Sequence, residues 1–214
     1  MENYTVNNVT VSRPGHATVM IVTEDIVIYI DPYILPKDAP KADLIFITHE
    51  HYDHCAPEKI REISDENTKI IAAKGCASKI GGNVTLVSAG DSIIMDTISI
   101  NAVDAYNIGK PFHPRELGVG YVIDIAGVKI YHAGDTDRIP EMKDLKDETI
   151  DIAFLPVGGT YTMDVEEASL AASDIMPKVV IPIHYGYIDG TDADIARFRN
   201  LMEHNAQGVE VRVI

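Results

Sequence analysis

Cysteine is scarce: Cys55 and Cys76 are the two in a chain of 214 residues, which excludes a disulfide-stapled secreted scaffold. Long apolar runs are missing too. None approaches the roughly 18 residues a membrane span requires, and no basic stretch with an apolar segment and a small-residue cleavage site opens the chain. Basic side chains are in short supply, 18 Lys and Arg against 33 Asp and Glu, giving a formal charge of -15. That balance argues against a protein whose main task is holding a phosphate backbone, which needs many cations, although a single basic patch could sit on an acidic body. Low-complexity tracts, charge blocks and long linkers are absent. The expectation is a soluble, cytoplasmic protein forming one domain over residues 1–214, with no membrane partner.

The rest is an ordinary globular balance, 46% hydrophobic and 24% charged, in a chain long enough to bury roughly 70% of its unfolded surface. β-Branched runs predict strands at Val6–Val11, Thr18–Val22 and Ile26–Ile30, with Glu24-Asp25 turning between the last two. Ala42–Thr48 is almost continuously apolar, as befits a strand buried on both faces. Pro57 opens a helix to Ile63. Short strands follow at Ile70–Ala73 and Val84–Val87, with a brief helix at Cys76–Ile80 between them. Hairpins are predicted over Ser92–Asp104 and Gly118–His132, the second turning at Ala126-Gly127. Ile150–Pro156 is a further buried strand, and Asp164 with Glu167 caps a helix to Ile175. Pro182 places the Val179–Ile183 strand near an edge or an end. A last helix starts around Thr191 and Asp194, with Ile195, Phe198, Leu201 and Met202 on one face, and Val209–Ile214 closes the chain as a strand. Both halves pass from strands into helices, which hints at an internal duplication.

Chemistry concentrates after the Ala42–Thr48 run, where His49, His51, Asp53 and His54 fall within six residues. Imidazole nitrogen and carboxylate oxygen are ligands for zinc, and also for iron and manganese. In an extended segment His49, His51 and Asp53 project to one side, because the side-chain period is two. A turn at Asp53 then aims His54 differently, so one loop can feed two adjacent metal positions. Glu50 and Tyr52 alternate with these residues and are expected to point away. Asp31, at the end of a buried strand before Pro32, is placed to accept a bond from a ligand histidine and fix its tautomer. Cys55 reads as a small buried thiol, and His204 as an exposed residue of the last helix.

The His-x-His-x-Asp-His loop resembles the metallo-β-lactamase superfamily. The resemblance continues at Gly134-Asp135-Thr136 and at His184, in family order across nearly the whole chain. A closer likeness, to the ascorbate-6-phosphate lactonase-like branch of metal-dependent hydrolases, rests on several further segments. They are Ala105-Tyr106-Asn107, Gly118-Val119-Gly120-Tyr121, Tyr131-His132-Ala133, Leu155-Pro156-Val157-Gly158-Gly159, Tyr161-Thr162-Met163 and Pro182-Ile183-His184-Tyr185-Gly186. The resemblance implies a mixed α/β (α+β) fold, a four-layer αββα sandwich with the site at one open edge. It implies that His49 and His51 hold one metal, Asp53, His54 and His184 a second, and that Asp135 bridges the two. The third histidine of the first metal is missing from its usual place. Asn107 stands there; His113, the nearest substitute, is the favoured ligand, with Asn107 as the alternative. His16 has a family counterpart near the site, as a group behind the ligands. His132 reads as packing on its strand or bonding a carboxylate rather than binding metal.

Two divalent ions, zinc first with manganese or iron as alternatives, can share a water and lower its pKa toward neutrality. The resulting hydroxide attacks a carbonyl or phosphorus centre, with Asp53 and Asp135 as the catalytic carboxylates. Tyr106, Tyr161 and Tyr185 could donate a hydrogen bond to substrate or pack against the wall. Lys110 and Arg115, flanking His113, could bind a phosphate or carboxylate or serve only as surface charge. The leading expectation is hydrolysis of a small ester, lactone or phosphoester. The alternatives are a metallo-nuclease or phosphodiesterase on nucleic acid, which the charge disfavours, and a metal-dependent binding protein without turnover. A homo-oligomer is open.

Overall fold

The runs of Val, Ile and Thr assemble into two sheets in the computed structural model, which describes residues 2–81 and 84–214. The first sheet is β1 (Asn3–Val6), β2 (Val9–Gly15), β3 (Thr18–Val22), β4 (Val27–Ile30), β5 (Leu44–Ile47), β6 (Lys69–Ala73) and β7 (Val84–Val87), side by side in that order. The second is β8 (Ser92–Met95), β9 (Ile98–Asp104), β10 (Val119–Ile125), β11 (Val128–His132), β12 (Ile152–Pro156), β13 (Val179–Ile183) and β14 (Glu210–Val211). In each sheet the first four strands are antiparallel and the remaining pairings parallel. Helix α1 (Pro57–Ile63) follows β5, and α2 (Val165–Ile175) follows β12, the matching strand of the second sheet; α3 (Ile195–Asn205) precedes β14. The repeated topology agrees with the hint of duplication.

Local sequence explains where the elements stop. Val6–Val11 is two strands rather than one, because Asn7 takes a left-handed φ of 51° and turns the chain into a β1–β2 hairpin pairing Val6 with Val9. Ala126 and Gly127 likewise both have positive φ, 51° and 72°, the twist a two-residue hairpin loop requires. Asp164 and Glu167 form the expected capping box at α2. The closing strand is shorter than Val209–Ile214. Arg212 N donates to Val180 O at 3.0 Å, and the next rung would need an N–H from Pro182, which has none. The brief helix expected at Cys76–Ile80 is a 3-10 turn over Lys74–Ser78, and a second 3-10 segment, Pro140–Glu148, has no counterpart in the sequence reading.

Alternation along the strands assigns the layers. In β12, Ile152 and Phe154 join a core shared with the first sheet, while Ala153 and Leu155 join the core under α2 and α3; Val179 and Ile181 against Val180 repeat the division in β13. Each fully buried Ile contributes about 1.5–3 kcal/mol relative to exposure. Tyr121 ties the sheets together by donating its hydroxyl to Ile47 O at 2.9 Å. No helix among the described residues is long and apolar enough to cross a membrane.

The loops after β5, β9, β11, β12 and β13, with the β2–β3 turn, meet at one edge of this sandwich. Val119 N donates to Thr48 O, Asp137 N to Tyr106 O, Met163 N to Thr136 O and His184 N to His16 O. A crevice outside the carboxyl ends of parallel strands is where open α/β sheets place ligands.

Candidate metal centre

The four fully buried residues of β5 deliver the chain to Thr48, whose N–H and hydroxyl both donate to the Asp31 carboxylate, at 2.8 and 2.7 Å. The next residues are not extended. His54 N and Cys55 N both donate to His51 O, at 3.1 and 2.7 Å, closing a turn over His51–His54. The turn changes the sorting that strict alternation gives: His49 stays with His51, their Nε2 and Nδ1 3.1 Å apart, while Asp53 goes with His54. Tyr52 does not point away from the site, because the same turn sets it on the wall of the adjoining cavity.

Two groups of donor atoms result. His49, His51 and His113 form one, and Asp53, His54, His184 and His16 the other, the atoms of each lying within 4.8 Å of one another. Asp135, in the loop after β11, stands between them. Its Oδ2 lies 2.9 Å from His184 Nε2, 3.2 Å from His113 Nε2 and 3.9 Å from His49 Nε2, and its Oδ1 3.4 Å from His54 Nε2. Every member except His51 is buried.

Residues behind these groups fix their orientation. His54 Nδ1 donates to Asp31 Oδ2 at 2.8 Å, which turns Nε2 toward the cluster. Thr48 Oγ1, donating to Asp31, is 2.9 Å from His49 Nδ1 and accepts its proton. One buried carboxylate thus sets a histidine of each group. Of the two candidates left open by the sequence, His113 puts its Nε2 into the cluster and Asn107 sits behind it. Asn107 Oδ1 accepts from both His113 N and Nδ1 at 3.0 Å, while its amide donates to Asp137 Oδ1 and Tyr161 O, also at 3.0 Å. Asp137 in turn accepts from Lys110 Nζ and Ile108 N, each at 2.7 Å. Asn107→Ala is expected to free the His113 ring and weaken metal binding by the His49, His51 and His113 group about 10–100-fold, read by competition against a chromogenic chelator; unchanged affinity would mean that the loop, not Asn107, orients His113.

His16 Nε2 donates to Asp53 Oδ2 at 2.9 Å and reaches the cluster itself. His132 packs on its strand: Nε2 donates to Ala17 O and Nδ1 accepts from Gly134 N, with no carboxylate involved. Tyr106 donates to Glu141 and Tyr185 stacks under Arg13, so of the three tyrosines Tyr161 is the one that lines the cavity. Lys110 is engaged by Asp137 and Thr162 O, and Arg115 by Asp104 and Glu141. Neither lines the cavity beside the cluster. Cys55 is buried and His204 exposed on α3, its Nδ1 donating to Asn200 O. Sequence reasoning missed Thr48 and Asp137. The Asp135-Thr136-Asp137 spacing carried a signal for Asp137, but nothing local marked Thr48.

Electrostatics follow from burial. Burial lowers the pKa of His49, and it does the same to His51 and His16, keeping the imidazoles neutral. Burial would also lower His54, but Asp135, Asp31 and Asp53 around it prevail and raise it well above the usual range. Burial opposes ionisation of Asp53 and Asp135, yet the facing imidazoles, His54 for Asp53 and His184 for Asp135, hold both well below the usual carboxylate range. Three buried aspartates therefore call for positive charge. His54 Nε2 and Asp135 Oδ1 are buried 3.4 Å apart, and neither makes a hydrogen bond. Converging, unsatisfied N and O donors of this kind suit divalent metal ions. The backbone is strained here as well: His16, Asp31 and His184 all have left-handed φ, 51°, 48° and 58°, a conformation that costs non-glycine residues of order 1–3 kcal/mol each.

A β-sandwich with this histidine and aspartate cluster at its loop edge defines a metallo-β-lactamase type of protein. The family model described as a β-lactamase superfamily domain matches residues 10–184, and the chain belongs to that family. It is 34% identical to a UPF0173 metal-dependent hydrolase of Thermoplasma acidophilum, over 91% of each chain. Among solved structures it is similar to a Parabacteroides distasonis protein, 35% identical with a TM-score of 0.87, covering 99% of this chain and 97% of that one. Igni18, a metallo hydrolase from Ignicoccus hospitalis, is 29% identical with a TM-score of 0.81, over 96% of this chain and 94% of its own.

Proposed function

We propose that the chain is a metal-dependent hydrolase that cleaves a small ester, lactone or phosphoester using two divalent ions, zinc in the first place and manganese or iron as alternatives. The observation that carries this reading is the pair of donor groups, each with ligand atoms within 4.8 Å of one another and with Asp135 between them. His49, His51 and His113 would hold one ion, and Asp53, His54 and His184 the other, with Asp135 shared. Ions held there supply Lewis-acid polarisation of a carbonyl or phosphoryl oxygen and a water of near-neutral pKa.

The protein's part is positional. Asp53 and Asp135, both lining the cavity, orient the attacking water, and the His16 N–H on Asp53 Oδ2 keeps that carboxylate from rotating. Asp31, Thr48 and Asn107 hold the histidines by Nδ1, so that Nε2 of each faces the cluster. No serine or cysteine nucleophile is needed. The proposal includes a single domain working in the cytoplasm on a small-molecule substrate, without nucleic acid or membrane as partner.

The test is turnover of a neutral 4-nitrophenyl ester, a simple lactone and bis(4-nitrophenyl) phosphate by metal-loaded protein. Hydrolysis of at least one should cease in chelator and return on adding back zinc or manganese. Two bound ions with no turnover of any member would favour a metal-dependent binding protein instead.

A further inference from the structure

Beside the cluster lies a cavity of about 230 Å³, floored by His51, Asp53, His113, Asp135 and His184. Its walls are Tyr52, Phe112, Tyr161 and Ile188, from four different loops. Phe112 and Tyr161 meet edge-to-face with ring centroids 4.9 Å apart, and Tyr52 is braced the same way against Tyr33 at 5.9 Å. Such pairs hold aromatic rings as fixed walls rather than loose cover. Phe112 and Tyr52 remain 39% and 63% exposed, so the apolar surface continues outward to the mouth.

Positive charge is missing from this wall. Among the described residues that line the cavity there is no Lys or Arg. The two cations nearest in sequence are committed elsewhere, Lys110 to Asp137 and Thr162 O and Arg115 to Asp104 and Glu141. The protein's charge of -15 adds a field that repels anions approaching from solvent. A site built for a phosphate ester would normally present Arg or Lys to its oxygens. The volume is below the roughly 300–1,000 Å³ of drug-sized pockets, so it suits one small group and not a polymer.

We infer that the substrate is an uncharged carboxylic ester or lactone whose acyl part is apolar and lies between Tyr52, Phe112, Tyr161 and Ile188, and that phosphoesters are poor substrates. This narrows the substrate of the hydrolase reading above and rests on it. Water adds its oxygen to the carbonyl carbon, the C–O bond to the leaving group breaks, and the products are a carboxylate, an alcohol and one released proton. The acyl chain reaches the walls while the carbonyl stays over the histidines and aspartates of the floor. Apolar burial is worth about 0.8 kcal/mol per methylene, or up to about fourfold per methylene in affinity or kcat/KM.

Two measurements on the metal-loaded chain test this. The kcat/KM for 4-nitrophenyl acetate, propionate and butyrate should climb with length, by up to about 15-fold over the two added methylenes, and exceed that for bis(4-nitrophenyl) phosphate and 4-nitrophenyl phosphate. Binding of acetanilide, propionanilide and butyranilide, neutral amides of the same shape, should tighten with length in saturation-transfer NMR, whether or not any ester turns over. Phe112→Asp, and separately Ile188→Asp on another loop, should flatten both series at unchanged metal content. A flat anilide series, a phosphoester preferred over every carboxylic ester, or unaltered length dependence in both variants would overturn the inference. The hydrolase reading fails differently, by absence of metal-dependent turnover while the anilides still bind according to length.

Discussion

Asp135→Ala should lose at least about 1,000-fold in kcat/KM, equivalent to ~4 kcal/mol of transition-state stabilisation, and should no longer retain both metals. Its carboxylate reaches both donor sets, 2.9 Å from His184 and 3.2 Å from His113 through the same oxygen. Removing it leaves imidazoles of the two sets facing each other with no anion between them. The fold should survive, since Asp135 follows the end of β11 in a loop and belongs to neither apolar core. Circular dichroism and elemental analysis on one sample separate the outcomes. A folded variant with both ions and full turnover would refute the bridging role. Asp135→Asn, which keeps the shape but not the charge, should fall between.

Asp31 should matter nearly as much although it lies behind the cluster. Fully buried and in a left-handed backbone conformation, it accepts from Thr48 N, Thr48 Oγ1 and His54 Nδ1 at once. Asp31→Ala strands those donors in a dry site, and breaking a buried charged pair costs about 3–5 kcal/mol, measurable as a lower urea midpoint. Asp31→Asn is the sharper variant, because asparagine tolerates positive φ and keeps the size. An amide nitrogen presented to His54 Nδ1 would push the proton to Nε2, the atom needed for metal. Metal affinity should drop about 10–100-fold with much less loss of stability. Unaltered affinity in Asp31→Asn would mean that the His54 tautomer is set by something else.

The legible parts of this protein are the ones that depend on neighbours in sequence. The β12 and β13 strands, the Asp164–Glu167 box and the Ala126-Gly127 turn are local, and each forms where the residues indicate. Pro182 was read as an edge or end of its own strand, but β13 runs on through it to Ile183 paired with β12, and the strand it limits is β14, whose next rung it withholds. Asn7 was not read as a break, because a left-handed asparagine inside a β-branched run competes with the run itself. The His49–His54 loop announced its chemistry but not its shape. Alternation grouped His49, His51 and Asp53, and a turn closed through His51 O regrouped them. Sequence favoured His113 over Asn107 as the ligand but could not show how the two are related, since what orders them is a three-dimensional chain from Lys110 through Asp137. Thr48 carried no local signal because its role is to relay Asp31, 17 residues away, to His49.

The central claim, that these histidines and aspartates form a two-ion site, is tested most directly by metal content. Elemental mass spectrometry should be run on protein purified without chelator or a metal-binding affinity tag, before and after adding back zinc, manganese or iron. The account predicts two equivalents of one divalent metal per chain, with one lost in Asp135→Ala. No more than one equivalent at saturating metal in the unmodified protein would contradict it.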